Sequence, residues 1–306
     1  YTYSFYCKMN NDLHSKLQSI KNKDIVHVFV SPKALSWCNY FVDIIIQQFP
    51  SHKIITNPNN LSNAHIIITH IKQRSEYYSN NAINIVISGE SYSTKHKYDL
   101  SIATVKHFNS HCNVYLPFLY MSLKEHKCSI DSKDYIRKKT KFCAYMYSVD
   151  HPHRIHYFHL FNNYKHVDAV GKSCNNTEIN IDRTKYNRTM TYLDEAVQLY
   201  SDYKFVLALE NKMEHGYVTE KIINPLIANC IPIYWGSNNV FEFINKDRII
   251  YAPDYNDADL IKKMKEIDEN EDLFNEIVNK PIYCNHKDPE TIFNDFTREM
   301  QDYFLT

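Results

Sequence analysis

The sequence predicts an α/β fold with two domains, each built on a parallel β-sheet with helices on both faces. Short runs of β-favouring apolar residues alternate with segments of helical periodicity, and a polar segment interrupts this alternation before the middle of the chain. The chain of 306 residues is also long enough for two domains, each with its own hydrophobic core. An alternating pattern of this kind is typical of parallel sheets.

The composition excludes several classes of protein. Apolar residues make up 44% and charged residues 23% of the chain, as in ordinary globular proteins. Lys plus Arg and Asp plus Glu number 35 each, so no basic field favours nucleic acid or an anionic membrane. No apolar run approaches the roughly 20 residues that span a bilayer. The first residues contain no signal-peptide apolar region, and because the sequence does not begin with Met, an upstream anchor or domain stays open.

The eight cysteines are scattered and form no CxxC motif. Several lie inside apolar runs, as Cys143 and Cys230 do. We therefore expect buried free thiols in a reducing compartment rather than a set of disulfides.

The first half of the chain alternates strands and helices. Apolar residues recur at helical spacing between the first two predicted strands, which indicates a βαβ unit. A polar and charged stretch over 124–139 then predicts an interdomain linker, so we expect domains at 1–138 and 139–306. The predicted strands of this half are 24–30, 52–56, 65–69, 83–88 and 113–118.

The second half repeats the pattern. A strand is predicted from 141, and the C-terminal part is predicted to be helical. There, Asp288 caps and Pro289 opens a last helix with an apolar stripe. The remaining predicted elements are a helix at 152–163, a strand at 167–170, a helix near 191–200 and a strand–loop–helix–strand unit at 203–236.

The unit at 203–236 has the form of a nucleotide-binding βαβ motif. Its first apolar run ends in Glu210 and Asn211, Gly216 permits a turn, and Thr219 caps a helix that opens with Glu220. Polar groups thus gather at a helix N-terminus, where free N–H donors favour a phosphate.

Within this unit the pattern ENx(4)GYVTEK, followed by PIYWGS, resembles the donor-binding motif of the α-1,3-fucosyltransferases. The resemblance covers roughly 83–255. It implies the GT-B architecture, with two Rossmann-like domains that face each other across a cleft. It also implies an inverting glycosyltransferase that moves fucose from GDP-β-L-fucose to a glycan containing N-acetylglucosamine or galactose, in α-1,3 or α-1,4 linkage. The N-terminal domain would bind the acceptor and the C-terminal domain the donor, with the last helix (about 288–306) returning to the first domain.

Glu90 is the candidate general base. Fucosyl transfer needs a group that takes the proton of the acceptor hydroxyl. Glu90 follows a buried strand and Gly89, at the sheet edge where α/β ligands bind. The family carries its proposed base in the same setting, although Ser91 and Tyr92 depart from the Asn that usually follows. A solvated loop glutamate is the alternative.

The donor-binding candidates lie in the second half. Lys221 stands in the first turn of its helix, where the dipole disfavours a cation unless an anion binds. By the resemblance, Glu220 faces sugar hydroxyls, while Tyr217 and Asn211 contact the nucleoside and the sugar.

Two further cations are candidates for the diphosphate. Lys172, in VDAVGK, resembles a family position that is often Arg, and Arg154 can supply the planar contact that a lysine cannot. For each, a surface cation is the alternative.

We expect no required metal or other cofactor. His156 and His159 have metal-ligand spacing, but no DxD motif lies near the nucleotide unit, so Mn²⁺ is expected at most to stimulate. The expected partners are GDP-fucose and an oligosaccharide or glycoconjugate acceptor. A transferase of another nucleotide sugar and a catalytically inactive glycan-binding protein remain alternatives. We expect a cytoplasmic location, with the lumenal catalytic domain of a Golgi-type enzyme as the alternative.

Overall fold

The computed structural model describes residues 11–49, 51–73, 76–91, 98–106, 110–115, 138–178 and 191–284, with six further residues between 294 and 301. The chain divides into two compact units. Unit 1 comprises Tyr1–Pro117 and Glu290–Thr306, and unit 2 comprises Phe118–Pro289. The domain boundary at 138 stays a prediction, because 116–137 lie outside the described residues. Asp288 and Pro289 lie outside them too.

Unit 1 contains a six-stranded sheet in the order β2-β1-β3-β4-β5-β6, and every strand pair is parallel. β3, β4 and β5 are buried along their whole length, as expected for a parallel sheet covered on both faces. The strands are β1 Val26–Val30, β2 His52–Ile55, β3 Ile66–His70, β4 Ile83–Ser88, β5 Tyr98–Ala103 and β6 Ser110–Tyr115. The helices described here are α1 Asn11–Lys21 and α2 Pro32–Ile46, with 3₁₀ turns at Pro58–Asn63 and Ile71–Gln73.

Unit 2 contains a five-stranded parallel sheet in the order β11-β10-β9-β7-β8. The strands are β7 Lys141–Tyr145, β8 Val167–Ala169, β9 Tyr203–Leu209, β10 Ile231–Trp235 and β11 Ile250–Tyr251. The helices are α3 Pro152–Asn162, α4 Thr191–Tyr200, α5 Glu220–Ile227, α6 Asp257–Asp268 and α7 Glu271–Val278. Short 3₁₀ helices occupy Asn238–Glu242, Lys246–Arg248 and Ala252–Asp254. Among the residues that the structure describes, no helix is both long and apolar enough to cross a bilayer.

Polar caps set where several helices begin. The side chains of Ser31, Thr219, Asn256 and Asn270 each accept a hydrogen bond from a backbone N–H in the first turn of α2, α5, α6 and α7. Such caps satisfy N–H groups that have no partner inside the helix. The helix starts therefore follow directly from the local sequence.

The two parallel sheets predicted from the sequence are confirmed, but β5 was not predicted as a strand. Its sequence, YDLSIA, contains Asp99 and Ser101, which break the apolar run. Asp99 is nevertheless buried, because Lys16 of α1 lies 2.8 Å from Oδ1 and the backbone N–H of Asn84 donates to Oδ2 at 2.7 Å. These partners are remote in sequence, so no local pattern reveals them. The predicted strand 113–118 begins earlier, at Ser110, and its last residues lie outside the described ones.

Lys139, the last residue of the predicted linker, is instead part of unit 2. Its ammonium donates to the carbonyl oxygens of Ser201 and Ala228, each at 2.7 Å, so it is anchored inside unit 2. Burial lowers the pKa of Lys139. By donating to Ala228, it satisfies a carbonyl at the C-terminal end of α5.

The cysteines that the structure describes are all free, as predicted. Cys38, Cys112, Cys143 and Cys230 are buried. Cys174 and Cys284 are partly exposed, whereas Cys7 and Cys128 lie outside the described residues.

We predict that Gly171→Ala destabilises unit 2. A Cβ at this position would lie 2.6 Å from the backbone N and 2.9 Å from the backbone C of Tyr147, so one backbone segment must move. Overpacking of this kind costs about 1–3 kcal/mol. Thermal unfolding should show a Tm lower by several degrees. Lys172→Ala, at the exposed neighbouring position, is the control and should leave the Tm unchanged; an equal Tm for Gly171→Ala would contradict the prediction.

Candidate nucleotide-binding site

A cavity of about 160 Å³ lies in unit 2, where the segment after β7, the end of β9 and the start of α5 meet. The carboxyl ends of neighbouring parallel strands share one sheet edge, which is where α/β folds bind ligands. The cavity is lined by Met146, Tyr147, Ser148, Val149, Arg154, Tyr200, Leu207, Asn211, Glu220, Lys221 and Asn224.

Glu210 lies next to this cavity, directly after β9, and is 0% exposed. The backbone N–H of Thr219 donates to Oε1 at 2.8 Å, and the Thr219 hydroxyl lies 2.9 Å from Oε1 and 2.8 Å from Oε2. Burial raises the pKa of Glu210, and the charge of Lys221, 3.4 Å from Oε2, opposes this shift. A buried carboxylate thus fixes the residue that caps α5.

Lys221 is held by three neighbours. Its Nζ lies 3.1 Å from the Thr219 hydroxyl, 3.3 Å from Glu220 Oε1 and 3.4 Å from Glu210 Oε2. Burial lowers the pKa of Lys221, but the carboxylates of Glu220 and Glu210 outweigh that effect and leave it raised. Lys221 therefore needs no bound anion to balance its charge, contrary to the expectation from the helix dipole. Lys221 lines the cavity, and its role as a phosphate ligand stays a prediction.

Arg154, on α3, is 3% exposed and its guanidinium lies 4.1 Å from the centre of the Tyr147 ring. One terminal nitrogen donates to the carbonyl of Leu209 at 3.1 Å and to Asn211 Oδ1; the other lies 3.4 Å from the carbonyl of Val149. Both terminal nitrogens of Arg154 thus have protein acceptors, whereas the sequence suggested that they bind the diphosphate. Of this side chain, Nε alone is buried with no partner among the described residues.

The other predicted residues lie in different places. Tyr217 is buried, with its hydroxyl 3.5 Å from Asn211 Nδ2, and is not among the residues that line the cavity. Lys172 is exposed beside Gly171 and does not line the cavity either. Glu90 belongs to unit 1, where Lys72 Nζ lies 2.6 Å from its Oε1. The structure therefore brings Arg154, Asn211, Glu220 and Lys221 together.

The histidines at the start of α3 make packing and hydrogen-bond contacts within unit 2. The ring of His153 stacks on Trp235 at 3.9 Å, and its Nε2 donates to the carbonyl of Glu210 at 2.9 Å. Burial lowers the pKa of His153. His156 pairs with Asp257 at 3.1 Å. Among the described residues, no group of three or more His, Cys, Asp or Glu side chains could hold a metal ion.

Several lining residues were not predicted from the sequence. Ser148 follows β7, and Asn224 lies three residues after Lys221 on α5. A polar residue inside the apolar run IINPLI, on the helix face of Glu220 and Lys221, was the available signal for Asn224. Glu210 was recognised as the polar end of its strand, but its contacts with Thr219 and Lys221 were not predicted.

Residues 136–280 match the family model described as glycosyltransferase family 10 (fucosyltransferase), C-term. That range contains every residue that lines the cavity. This part of the chain is similar to glycosyltransferase family 10. The resemblance to the fucosyltransferases inferred from the GYVTEK pattern is thereby confirmed.

Individual relatives carry fucosyltransferase names. A protein named as a fucosyltransferase from Acanthamoeba polyphaga mimivirus is 43% identical over 274 residues, which are 88% of this chain and 45% of the relative. GDP-fucose protein O-fucosyltransferase 3 of Homo sapiens is 26% identical over 149 residues, 47% of this chain and 31% of the relative. Alpha-(1,3)-fucosyltransferase B of Drosophila melanogaster is 32% identical over 111 residues, 36% and 25% of the two chains. The chain thus spans less than half the length of these curated relatives.

Solved structures confirm the fold class. A crystal structure of an alpha1,3-fucosyltransferase with GDP-fucose matches with a TM-score of 0.67 at 17% identity, over 95% of this chain and 96% of the other. A second, with GDP, matches with a TM-score of 0.68 at 18% identity and the same coverage. At this identity the likeness shows the fold, which is the predicted GT-B class with two Rossmann-like domains.

We predict that Thr219→Val destabilises the protein by about 2–4 kcal/mol, because the helix loses its cap and the buried Glu210 carboxylate loses a hydrogen bond. Urea denaturation of Thr219→Val and Thr219→Ser measures the effect. Thr219→Ser keeps the hydroxyl, so its free energy of unfolding should stay close to that of the parent.

The loss of stability in Thr219→Val relative to the parent should depend on pH. The Thr219 hydrogen bonds lower the pKa of Glu210, so they favour its ionised form. The difference in free energy of unfolding between the parent and Thr219→Val should therefore be largest above the pKa of Glu210. It should become smaller as the pH falls through that pKa. A deficit that does not change with pH would contradict an ionised Glu210.

Proposed function

We propose that this chain transfers L-fucose from GDP-β-L-fucose to an acceptor hydroxyl, with inversion at the anomeric carbon. The observation that carries the proposal is the cavity at the N-terminus of α5, lined by Arg154 and Lys221, inside the range that matches the family 10 model. The names of the relatives, all fucosyltransferases, support fucose as the sugar. We propose α-1,3 linkage to a glycan containing N-acetylglucosamine or galactose.

The cavity is suited to part of the donor rather than to all of it. Pockets that enclose a whole small-molecule ligand are about 300–1,000 Å³, and this cavity is about 160 Å³. The helix N-terminus and the two cations favour a phosphate. We therefore assign the diphosphate to the mouth of the cavity beside Lys221; Arg154, whose Nε has no partner among the described residues, lines the same cavity.

Donor binding requires a local exchange of partners. All three close neighbours of Lys221 Nζ are protein groups, and two of them are carboxylates. Glu220 is the more exposed carboxylate, because Glu210 is completely buried. In this proposal a diphosphate oxygen replaces Glu220 at Lys221, and Glu220 turns to accept a hydrogen bond from a sugar hydroxyl.

The transfer step moves charge onto the diphosphate. The acceptor oxygen forms a bond to the anomeric carbon, the bond from that carbon to the phosphate oxygen breaks, and GDP leaves with the electron pair. Lys221 and Arg154 stabilise the developing charge. Lys172, exposed in the present structure, is proposed as a further cation for the diphosphate.

Glu90 is proposed to take the proton of the acceptor hydroxyl. It follows β4 at the carboxyl edge of the unit 1 sheet and is partly exposed, so a ligand can reach it. The ion pair with Lys72 at 2.6 Å holds the side chain in one place. A positioned carboxylate is the group that general base catalysis needs.

A protein acceptor is the second candidate. Five of the relatives carry the name GDP-fucose protein O-fucosyltransferase 3, those from Homo sapiens and Xenopus tropicalis among them. In that case the acceptor hydroxyl belongs to Ser or Thr of a folded protein, and the donor chemistry is unchanged.

A donor and acceptor panel tests the proposal. Purified protein is incubated with GDP-fucose or UDP-sugars, first alone to follow slow hydrolysis and then with N-acetyllactosamine-type glycans or folded protein domains. Release of GDP and transfer of fucose to one acceptor class are the expected results. Turnover of a UDP-sugar alone would contradict the fucose assignment, and donor binding without turnover on any acceptor would favour a glycan-binding protein.

We predict that Glu90→Gln lowers turnover by about two to four orders of magnitude, the usual contribution of general base catalysis, because the amide cannot accept the proton. The KM for GDP-fucose should change little, since this residue does not line the donor cavity. Steady-state kinetics with Glu76→Gln, an exposed glutamate of the same unit, provides the control. Parent-like turnover of Glu90→Gln would place the base elsewhere.

Chelation gives another prediction. EDTA should leave most of the transferase activity, because Lys221, Arg154 and the α5 N-terminus can balance the diphosphate charge. Mn²⁺ can stimulate modestly without contradicting this view. Complete loss of activity that Mn²⁺ restores would contradict it, and Glu210 and Glu220 would then become candidate ligands.

A further inference from the structure

Three polar atoms on the cavity wall have no hydrogen-bond partner in the part of the chain that the structure describes. They are Ser148 Oγ, Arg154 Nε and Asn224 Oδ1, all buried and all on residues that line the cavity. Buried polar atoms without partners are uncommon in native proteins. Three around one cavity point to a ligand that supplies both acceptors and donors.

Asn224 is a buried residue of the cavity wall. It follows Glu220 by four residues and Lys221 by three, so the three side chains share one face of α5. Lys221 is partly exposed, whereas Asn224 is buried. The row therefore leads from the cationic mouth inward, where Tyr200 and Leu207 also line the wall.

The chemistry changes along this row. A phosphate oxygen suits the mouth, but it would be repelled by the amide oxygen of Asn224, which needs a hydrogen-bond donor. A hydroxyl group can donate to Asn224 Oδ1 and also accept from the Ser148 hydroxyl. An alkyl group could satisfy neither atom.

We propose that Asn224 and Ser148 form a subsite that recognises a sugar hydroxyl of the donor. This subsite rests on the proposed function, since the diphosphate at the mouth directs a neighbouring sugar inward. The hydroxyl belongs to either the ribose or the fucose. A trapped water is the competing occupant, because water also donates and accepts.

Calorimetric titration of GDP, 2′-deoxy-GDP, 3′-deoxy-GDP and GDP-fucose into the parent and Asn224→Leu tests the subsite. If Asn224 reads the ribose, one deoxy analogue binds the parent about tenfold more weakly than GDP does, and Asn224→Leu abolishes that difference. If it reads the fucose, Asn224→Leu weakens GDP-fucose by a similar factor and leaves GDP unchanged. Ser148→Ala should reproduce the pattern in weaker form.

The Tm of Asn224→Leu without ligand shows whether Asn224 recognises a ligand or stabilises the fold. Asn224→Leu removes an unpartnered amide from an apolar run, so its Tm without ligand should equal or exceed that of the parent. Asn275→Leu, at an exposed position of α7, is the matched control and should change neither Tm nor binding.

The outcomes are distinct. Unchanged affinities for all four ligands in Asn224→Leu, with parent-like selectivity, would overturn the subsite and leave a water there. If Asn224→Leu does not fold, the subsite is tested with Ser148→Ala instead, through its affinities for the deoxy analogues and the ratio of its affinities for GDP-fucose and GDP. Failure of the parent to bind GDP or GDP-fucose at all would instead contradict the proposed function.

Discussion

The buried carboxylate of Glu210 is the constraint on which the nucleotide end of unit 2 depends. A completely buried carboxylate is unstable unless hydrogen bonds and a cation compensate it. Thr219 supplies the hydrogen bonds and Lys221 the cation. The backbone of Glu210 also donates to Trp235 O at 2.9 Å and accepts from His153. One residue thus connects β9, β10, α3 and α5, and it fixes where α5 begins.

This arrangement also sets the electrostatics of the cavity. Two cations, Lys221 and Arg154, lie close to two carboxylates, Glu210 and Glu220, so the formal charges of these four side chains balance. In the proposed function, donor binding therefore acts through exchange at the more exposed carboxylate. Preorganised cations of this kind stabilise charge that develops on a leaving group without further rearrangement of the fold.

Local signals made much of this molecule predictable from its sequence. Apolar strands, helical periodicity and the Thr219 cap are encoded in neighbouring residues, and they give both sheets and the start of α5. Long-range pairing was not predictable. Asp99 in β5 depends on Lys16, and Lys139 depends on carbonyls 62 and 89 residues away. The same limit applies to Lys221: the carboxylate of Glu210 that balances it comes from the previous strand, so the sequence suggested a need for an anion that the structure removes.

Calorimetric titration of GDP into the parent and Glu210→Gln is the most direct test of the central role of Glu210. Coulomb's law alone predicts tighter binding of an anion when a nearby negative charge is removed. If Glu210 instead positions Lys221 and the start of α5, the amide leaves Lys221 without its anchor, and GDP should bind at least about tenfold more weakly. Weaker binding by a protein that remains folded would support the account. Equal or tighter binding would contradict it.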